Sequence, residues 1–286
     1  MQKKNKLSAS IKALIVGAII AGAGLLIGLI AFLVVGFKVE NFATNLVQTK
    51  EQIITEEFSN IDIASISADI SVFPSEDDDI KIAYTEDKRT KYNLEIKDGT
   101  LFLIPEKPPI NNILDLINVN IIEDYVDLYL PEKMFENLGD ITLKVTTGDL
   151  SWVNCPTNAK SLTLTSTTGD MFIHDIRVDG KIKSETTTGE VQFIGVDAKE
   201  FDIDVTTGNV FVSLFTPKDY KVKTTTGNYK VPEEKGTDIF KCNTTTGNIT
   251  VKVNPIYDAW ENPYENFDEY EKADKEKQNK IALWYN

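Results

Sequence analysis

The chain has 286 residues, 42% of them hydrophobic, enough to build a core in one or two domains. Acidic side chains outnumber basic ones 44 to 30, and beyond residue 38 the balance is 44 to 25, a net of −19. That field repels phosphate backbones and anionic headgroups, which argues against nucleic acid as a partner, and it attracts cationic peptides.

Met1–Lys12 carries Lys3, Lys4, Lys6 and Lys12 and no acid, and Ala13–Phe37 then runs for 25 uncharged, mostly aliphatic residues closed by Lys38. At about 1.5 Å per residue such a run crosses a hydrocarbon core of about 30 Å. Signal-peptide apolar regions span only about 7–15 residues and end at a small-residue cleavage site. Here Ala21, Gly22, Ala23 and Gly24 lie mid-run with more apolar sequence behind them. The reading is a retained transmembrane helix at 13–37. Residues 1–12 then form a cytoplasmic basic tail, and everything after the helix lies outside the membrane. Gly24 and Gly28 would let two such anchors approach closely.

Residues 38–57 read as a polar connector compatible with a helix, and 58–253 as a repeat of strands. "IDIASISADISV" alternates apolar and polar residues around Ala68, and "LEIKDGTLFL" does the same around Gly99. "EKPPINNILDLINVNIIED" breaks the pattern and reads as an inserted loop with one short helical turn. "YVDLYLP", Tyr125–Pro131, is again an alternating strand. "SEDDDIK", Ser75–Lys81, is acid-rich but lacks the spaced ligands and glycine of a calcium loop, so it reads as a solvated turn.

From residue 141 one unit recurs six times: a strand, Thr-Thr-Gly, then Asp, Glu or Asn, and a second strand. The glycines are Gly148, Gly169, Gly189, Gly208, Gly227 and Gly247, at intervals of 19 to 21 residues. Seven residues before each glycine stand Ile141, Leu162, Ile182, Phe201, Tyr220 and Phe240. Four residues after stand Trp152, Ile173, Phe193, Val212, Val231 and Val251. A single unit cannot bury its own apolar row, so neighbours must stack, at about 4.8 Å per coil. The predicted fold is all-β: a single-stranded parallel β-solenoid, β-helix-like, of about 20-residue coils, with Thr-Thr-Gly as its corner. An antiparallel meander of hairpins is the competing architecture. Hairpins do not require identical corner residues at every turn, whereas stacked coils reward them.

Residues 254–286 leave the repeat with eight acids, four lysines and Trp260, Tyr264, Phe267, Tyr270 and Trp284. A solenoid end needs covering, and this acidic aromatic tail reads as a cap.

The chemistry-bearing residues are few. Asp149, Asp170 and Glu190 follow successive corner glycines and would stack about 5 Å apart, the separation of paired carboxylates in retaining glycosidases. A carbohydrate-active enzyme on that row is therefore the alternative to a non-catalytic binding protein, and weak calcium binding is conceivable there. The row continues as Asn209, Asn228 and Asn248, as a corner preference would. Cys155 and Cys242 fall four coils apart, about 19 Å, too far to bridge. Cys242 is inward, and Cys155 reads as a free thiol in a return loop. His174, the only histidine, falls on the polar side of a strand and reads as a surface residue. No phosphate loop or cofactor motif is present, and no catalytic, cofactor-binding or metal-ligating residue is assigned.

Taken together, the apolar span, "SISADISVFP", "YVDLYLP" and the run of "TTGD" and "TTGN" coils resemble the bacterial putative-adhesin family, a β-strand-repeat domain of unknown function. The resemblance covers about residues 50–253. It implies a membrane-anchored envelope protein, similar to the Lia-type cell-envelope stress proteins; the flat repetitive faces of stacked coils then suit binding of wall polymer or another envelope protein, and the acidic surface suits sensing of cationic peptides. It carries over no functional residues.

Overall fold

The computed structural model describes residues 47–87, 90–106, 124–153 and 155–253. The expected transmembrane segment at 13–37, residues 107–123 of the inserted loop at 106–124 and the tail at 254–286 lie outside them. No helix among the described residues is long and apolar enough to cross a membrane.

Among the described residues, eighteen strands and one short helix build two walls joined at the Thr-Thr-Gly corners. The wall preceding the corners contains β2 (Asn60–Ser65), β8 (Leu138–Thr147), β10 (Thr157–Thr168), β12 (Ile176–Thr188), the second half of β13 (Val191–Thr207), β17 (Ile239–Thr246) and β15 (Asp219–Thr226). Every neighbouring pair in this series is parallel. The wall following the corners stacks β3 (Asp69–Pro74), β9 (Leu150–Trp152), β11 (Met171–His174), the first half of β13, β14 (Val210–Leu214), β18 (Ile249–Val253) and β16 (Tyr229–Lys230), again all parallel. A helical turn, α1 (Glu132–Phe135), lies just before β8.

Register follows the repeat. Ile61, Ile141, Leu162, Ile182, Phe201, Phe240 and Tyr220 pair in one unbroken row. Side chains alternate between the two faces of a strand, so this row and its neighbours all point inward and form one dry core. Trp152, Phe193, Phe201 and Phe240 are fully buried there, with the Phe201 and Phe240 rings 5.2 Å apart. Ala68 holds the corner of the first coil, as expected.

The coils do not stack in chain order. The sixth, around Gly247, is inserted between the fourth, around Gly208, and the fifth, around Gly227. Side-chain chemistry explains the exchange. The sixth coil offers Phe240, Cys242, Ile249 and Val251, all buried, whereas the fifth offers Tyr229, Lys221, Lys223 and Lys230, which are exposed at the end of the stack, and a half-buried Tyr220. Where the chain leaps past, the fully buried Lys218 pairs with Asp197 and, at 3.1 Å, with Asp238, pinning both crossing loops.

The other end departs from the solenoid. β5 (Lys91–Lys97) and β6 (Thr100–Glu106) form an antiparallel hairpin through Asp98 and Gly99, at φ 50° and 71°. Aspartate-glycine with positive φ at both residues is a hairpin turn, so "LEIKDGTLFL" is not a coil. The connector is not helical where it is described: β1 (Gln48–Ile54) runs antiparallel to β4 (Ile80–Glu86), which runs antiparallel to β7 (Tyr125–Leu130). β6 and β7 lie parallel to β2 and β3 and complete the stack. The buried Glu86 ties these elements together, reaching Lys50 at 2.8 Å, Lys91 at 3.2 Å and the Tyr92 amide at 3.0 Å. Burial alone would raise its carboxyl, but the hydrogen bonds from Lys50, the Tyr92 amide and Lys91 outweigh it and hold the group below the usual range.

Candidate functional site

The corner places its acidic row in a defined role. Asp69 Oδ1 accepts the Asp149 amide at 2.8 Å, Asp149 Oδ1 the Asp170 amide at 2.7 Å and Asp170 Oδ1 the Glu190 amide at 2.6 Å. Asn209 Nδ2 donates to Glu190 Oε1 at 2.9 Å, and Asn209 and Asn248 accept the amides of Asn248 and Asn228 at 3.0 Å each. A two-carbon Asp or Asn side chain spans one coil spacing, so each residue caps a backbone N–H that the corner leaves without a strand partner. Asp149, Asp170 and Glu190 are therefore brought together as expected, but Asp149 and Asp170 each commit an oxygen along the stack axis. Replacing Asp170 with Asn keeps an acceptor and should change stability by less than about 0.5 kcal/mol. Asp170→Ala orphans the Glu190 amide and should cost about 1 kcal/mol in urea denaturation.

The open surface lies on the other side of the corner. Across the outward face of the wall preceding it runs a groove of about 700 Å³. One of its columns is Thr167, Thr187, Thr206, Thr245 and Thr225, all exposed; the next is Thr165, Glu185, Asp204, Asn243 and Lys223. The carboxylate row of the corner does not line it. Charges on this wall pair among themselves: Asn243 Nδ2 donates to Asp204 at 2.7 Å, Lys183 meets Glu185 at 2.9 Å, and Lys181 and Lys241 both reach Asp202 at 2.7 Å. Hydrogen bonds from Lys181 and then Lys241 hold the Asp202 carboxyl below its usual value. What the groove presents is a regular hydroxyl ladder beside a neutralised polar ladder. The signal for it was the first threonine of each Thr-Thr pair, which sequence reasoning had assigned wholly to the corner.

The remaining candidates are structural. His174 is buried at 8% exposure, against the expectation of a surface residue, and burial pushes it down to about 4. Ile173 and His174 are both buried just before Asp175 at φ 57°, as Phe193 and Ile194 are before Gly195 at φ 61°, so burial does not follow the strand's alternation at this corner. Cys155 and Cys242 are unbridged and both buried. Burial raises the Cys155 thiol to about 12 and the Cys242 thiol further, so neither is poised as a nucleophile. Ser75–Asp79 is a turn leading into β4, with Asp77 accepting from Ser75 at 3.0 Å and pairing with Lys81. Among the described residues no group of three or more His, Cys, Asp or Glu is arranged to hold a metal ion.

The family model described as Toastrack DUF4097 matches residues 58–259. The chain belongs to the Toastrack DUF4097 family. Among solved structures, this Toastrack chain is similar to a putative cell adhesion protein from Clostridium sporogenes, at 14% identity and TM-score 0.39 over 73% of this chain and 100% of that one. It is also similar to a putative adhesin from Bacteroides fragilis, at 15% identity and TM-score 0.37 over 73% and 97% of the two chains. A third is a putative lipid binding protein from Parabacteroides distasonis, at 14% identity and TM-score 0.30 over 73% and 95%. No curated protein matches it.

Proposed function

We propose that this Toastrack protein is a non-catalytic binding module, carried outside the cell membrane by a single N-terminal helix, whose threonine groove holds an extended envelope polymer. The groove is the observation that carries this reading. Its hydroxyls repeat once per coil in register, which suits a chain that is itself repetitive and hydrogen-bonding. The commitment of Asp149 and Asp170 to backbone amides, away from the groove, supports binding without cleavage. The four lysines before a 25-residue apolar run support an anchor with its N-terminus in the cytoplasm.

The test is capture of the 39–286 segment by isolated cell wall, with cationic peptides and membrane proteins as parallel baits. Thr187→Val, Thr206→Val and Thr245→Val together keep side-chain volume and remove three hydroxyls. They should lower wall capture about tenfold, on the order of 0.5 kcal/mol per hydroxyl. Capture indifferent to these substitutions, or equal capture by cationic peptides alone, would refute the groove. Polymer shortening that disappears in Asp170→Asn would establish the enzyme instead.

A further inference from the structure

The two ends of the stack are finished differently, and the difference identifies a docking surface. At the amino-terminal end β5 covers β6, while β4 and β1 cover β7, all antiparallel. At the other end, β15 and β16 have partners on one side only among the described residues, β17 and β18. The inward row also opens there. Tyr220, Val222 and Val231 are half-buried and Tyr229 is 58% exposed, whereas Phe240, Cys242, Ile249 and Val251 one coil below are buried. Open edges of parallel strands above an apolar floor invite pairing and need a cover.

We propose that residues 254–286 of the same chain cover this end, laying Trp260, Tyr264, Phe267 and Tyr270 on Tyr220, Val222, Tyr229 and Val231. Three observations choose this occupant over a second copy. The first is where the chain leaves: because the last two coils are exchanged, Val253 ends β18, directly beneath the terminal coil, and the 33 remaining residues need to climb only one step of about 4.8 Å. The second is charge. The terminal coil bears Lys221, Lys223 and Lys230, whereas the first half of the tail, 258–271, holds six acids and no lysine. Two copies meeting end to end would instead bring lysines against lysines. The third is pattern: Asn262-Pro263 reads as a helix start, Tyr264, Phe267 and Tyr270 recur after it at intervals of three, one side of a helix, and Trp260 stands just before it.

Hydrogen exchange on the full chain in detergent micelles tests this, against a chain ending at Val253 and a full-length Trp260→Ser/Phe267→Ser variant. The β15 amides that face away from β17 should exchange at least tenfold more slowly in the parent than in either variant, at a rate independent of protein concentration. Equal exchange in all three chains overturns the proposal. So does protection that grows with concentration and survives in the shortened chain, which would make the occupant a second copy. Should either variant also lose protection in β10 and β12, the readout becomes a full chain with Tyr229→Cys and Tyr264→Cys under mild oxidation. The native thiols are buried and do not compete. An intramolecular bridge is expected, and unbridged monomer overturns the proposal.

Discussion

Gly189→Ala is expected to destabilise the domain by about 3–5 kcal/mol, more than most single substitutions. Gly189 sits at φ 151°, and an added Cβ would lie 1.9 Å from the Gly169 carbonyl oxygen of the adjoining coil. Backbone in this region costs a non-glycine residue roughly 1–3 kcal/mol. Relieving the clash adds about 1–3 kcal/mol more, because both neighbours are backbone and cannot swing away. To make room the coils must part at the corner, where the Gly169 amide bonds the Thr188 carbonyl at 2.9 Å and the Glu190 amide bonds Asp170. The first coil supplies the control: Ala68 occupies the same place without positive φ, so Ala68→Gly should cost no more than about 1 kcal/mol. Denaturant midpoints of the 39–286 segment check both. A Gly189→Ala protein within 1 kcal/mol of the parent would mean that corner identity does not hold the coils together.

That dependence on close corner contact is why the solenoid could be read from the repeat. Identical residues at identical offsets are what a parallel register rewards, and the Ile61 to Tyr220 row pairs as the spacing requires. The exchange of the last two coils could not be read in the same way. Phe240 and Tyr220 satisfy the same offset, and the coils differ in their other residues, Cys242, Ile249 and Val251 being buried where Tyr229 and three lysines of the terminal coil are exposed. The Asp98-Gly99 hairpin shares the period-two alternation of a coil, and its turn dipeptide was the only distinguishing sign. For the site, the carboxylate row was legible as a ladder, but its use was not, since bonding to the next backbone amide depends on how the corner orients the chain. The groove stayed hidden because outward polar positions of a strand carry no periodic apolar signal.

His174 occupies a nominally polar position that the fold buries, and it yields a pH dependence with a definite direction. Burial lowers the folded-state value to about 4, below the ordinary 6.5, so folding favours the neutral ring. As pH falls below 6.5 the unfolded chain gains a proton that the folded chain refuses until about pH 4. The contribution is thus complete above pH 6.5 and drains away towards pH 4, by about 3 kcal/mol in all. Two acids titrate in part of the same interval. Glu86, held below its usual value, contributes stability that drains as pH falls below its ordinary 4.5. Asp175, raised by burial, works in the opposite sense and stabilises on acidification. The discriminating measurement is therefore a difference: between pH 7 and pH 4 the parent should lose about 3 kcal/mol more than His174→Leu, whose side chain suits the same buried row as Ile194 on the adjoining coil. Parallel pH profiles for the two proteins would place the ring in water and overturn the burial of His174.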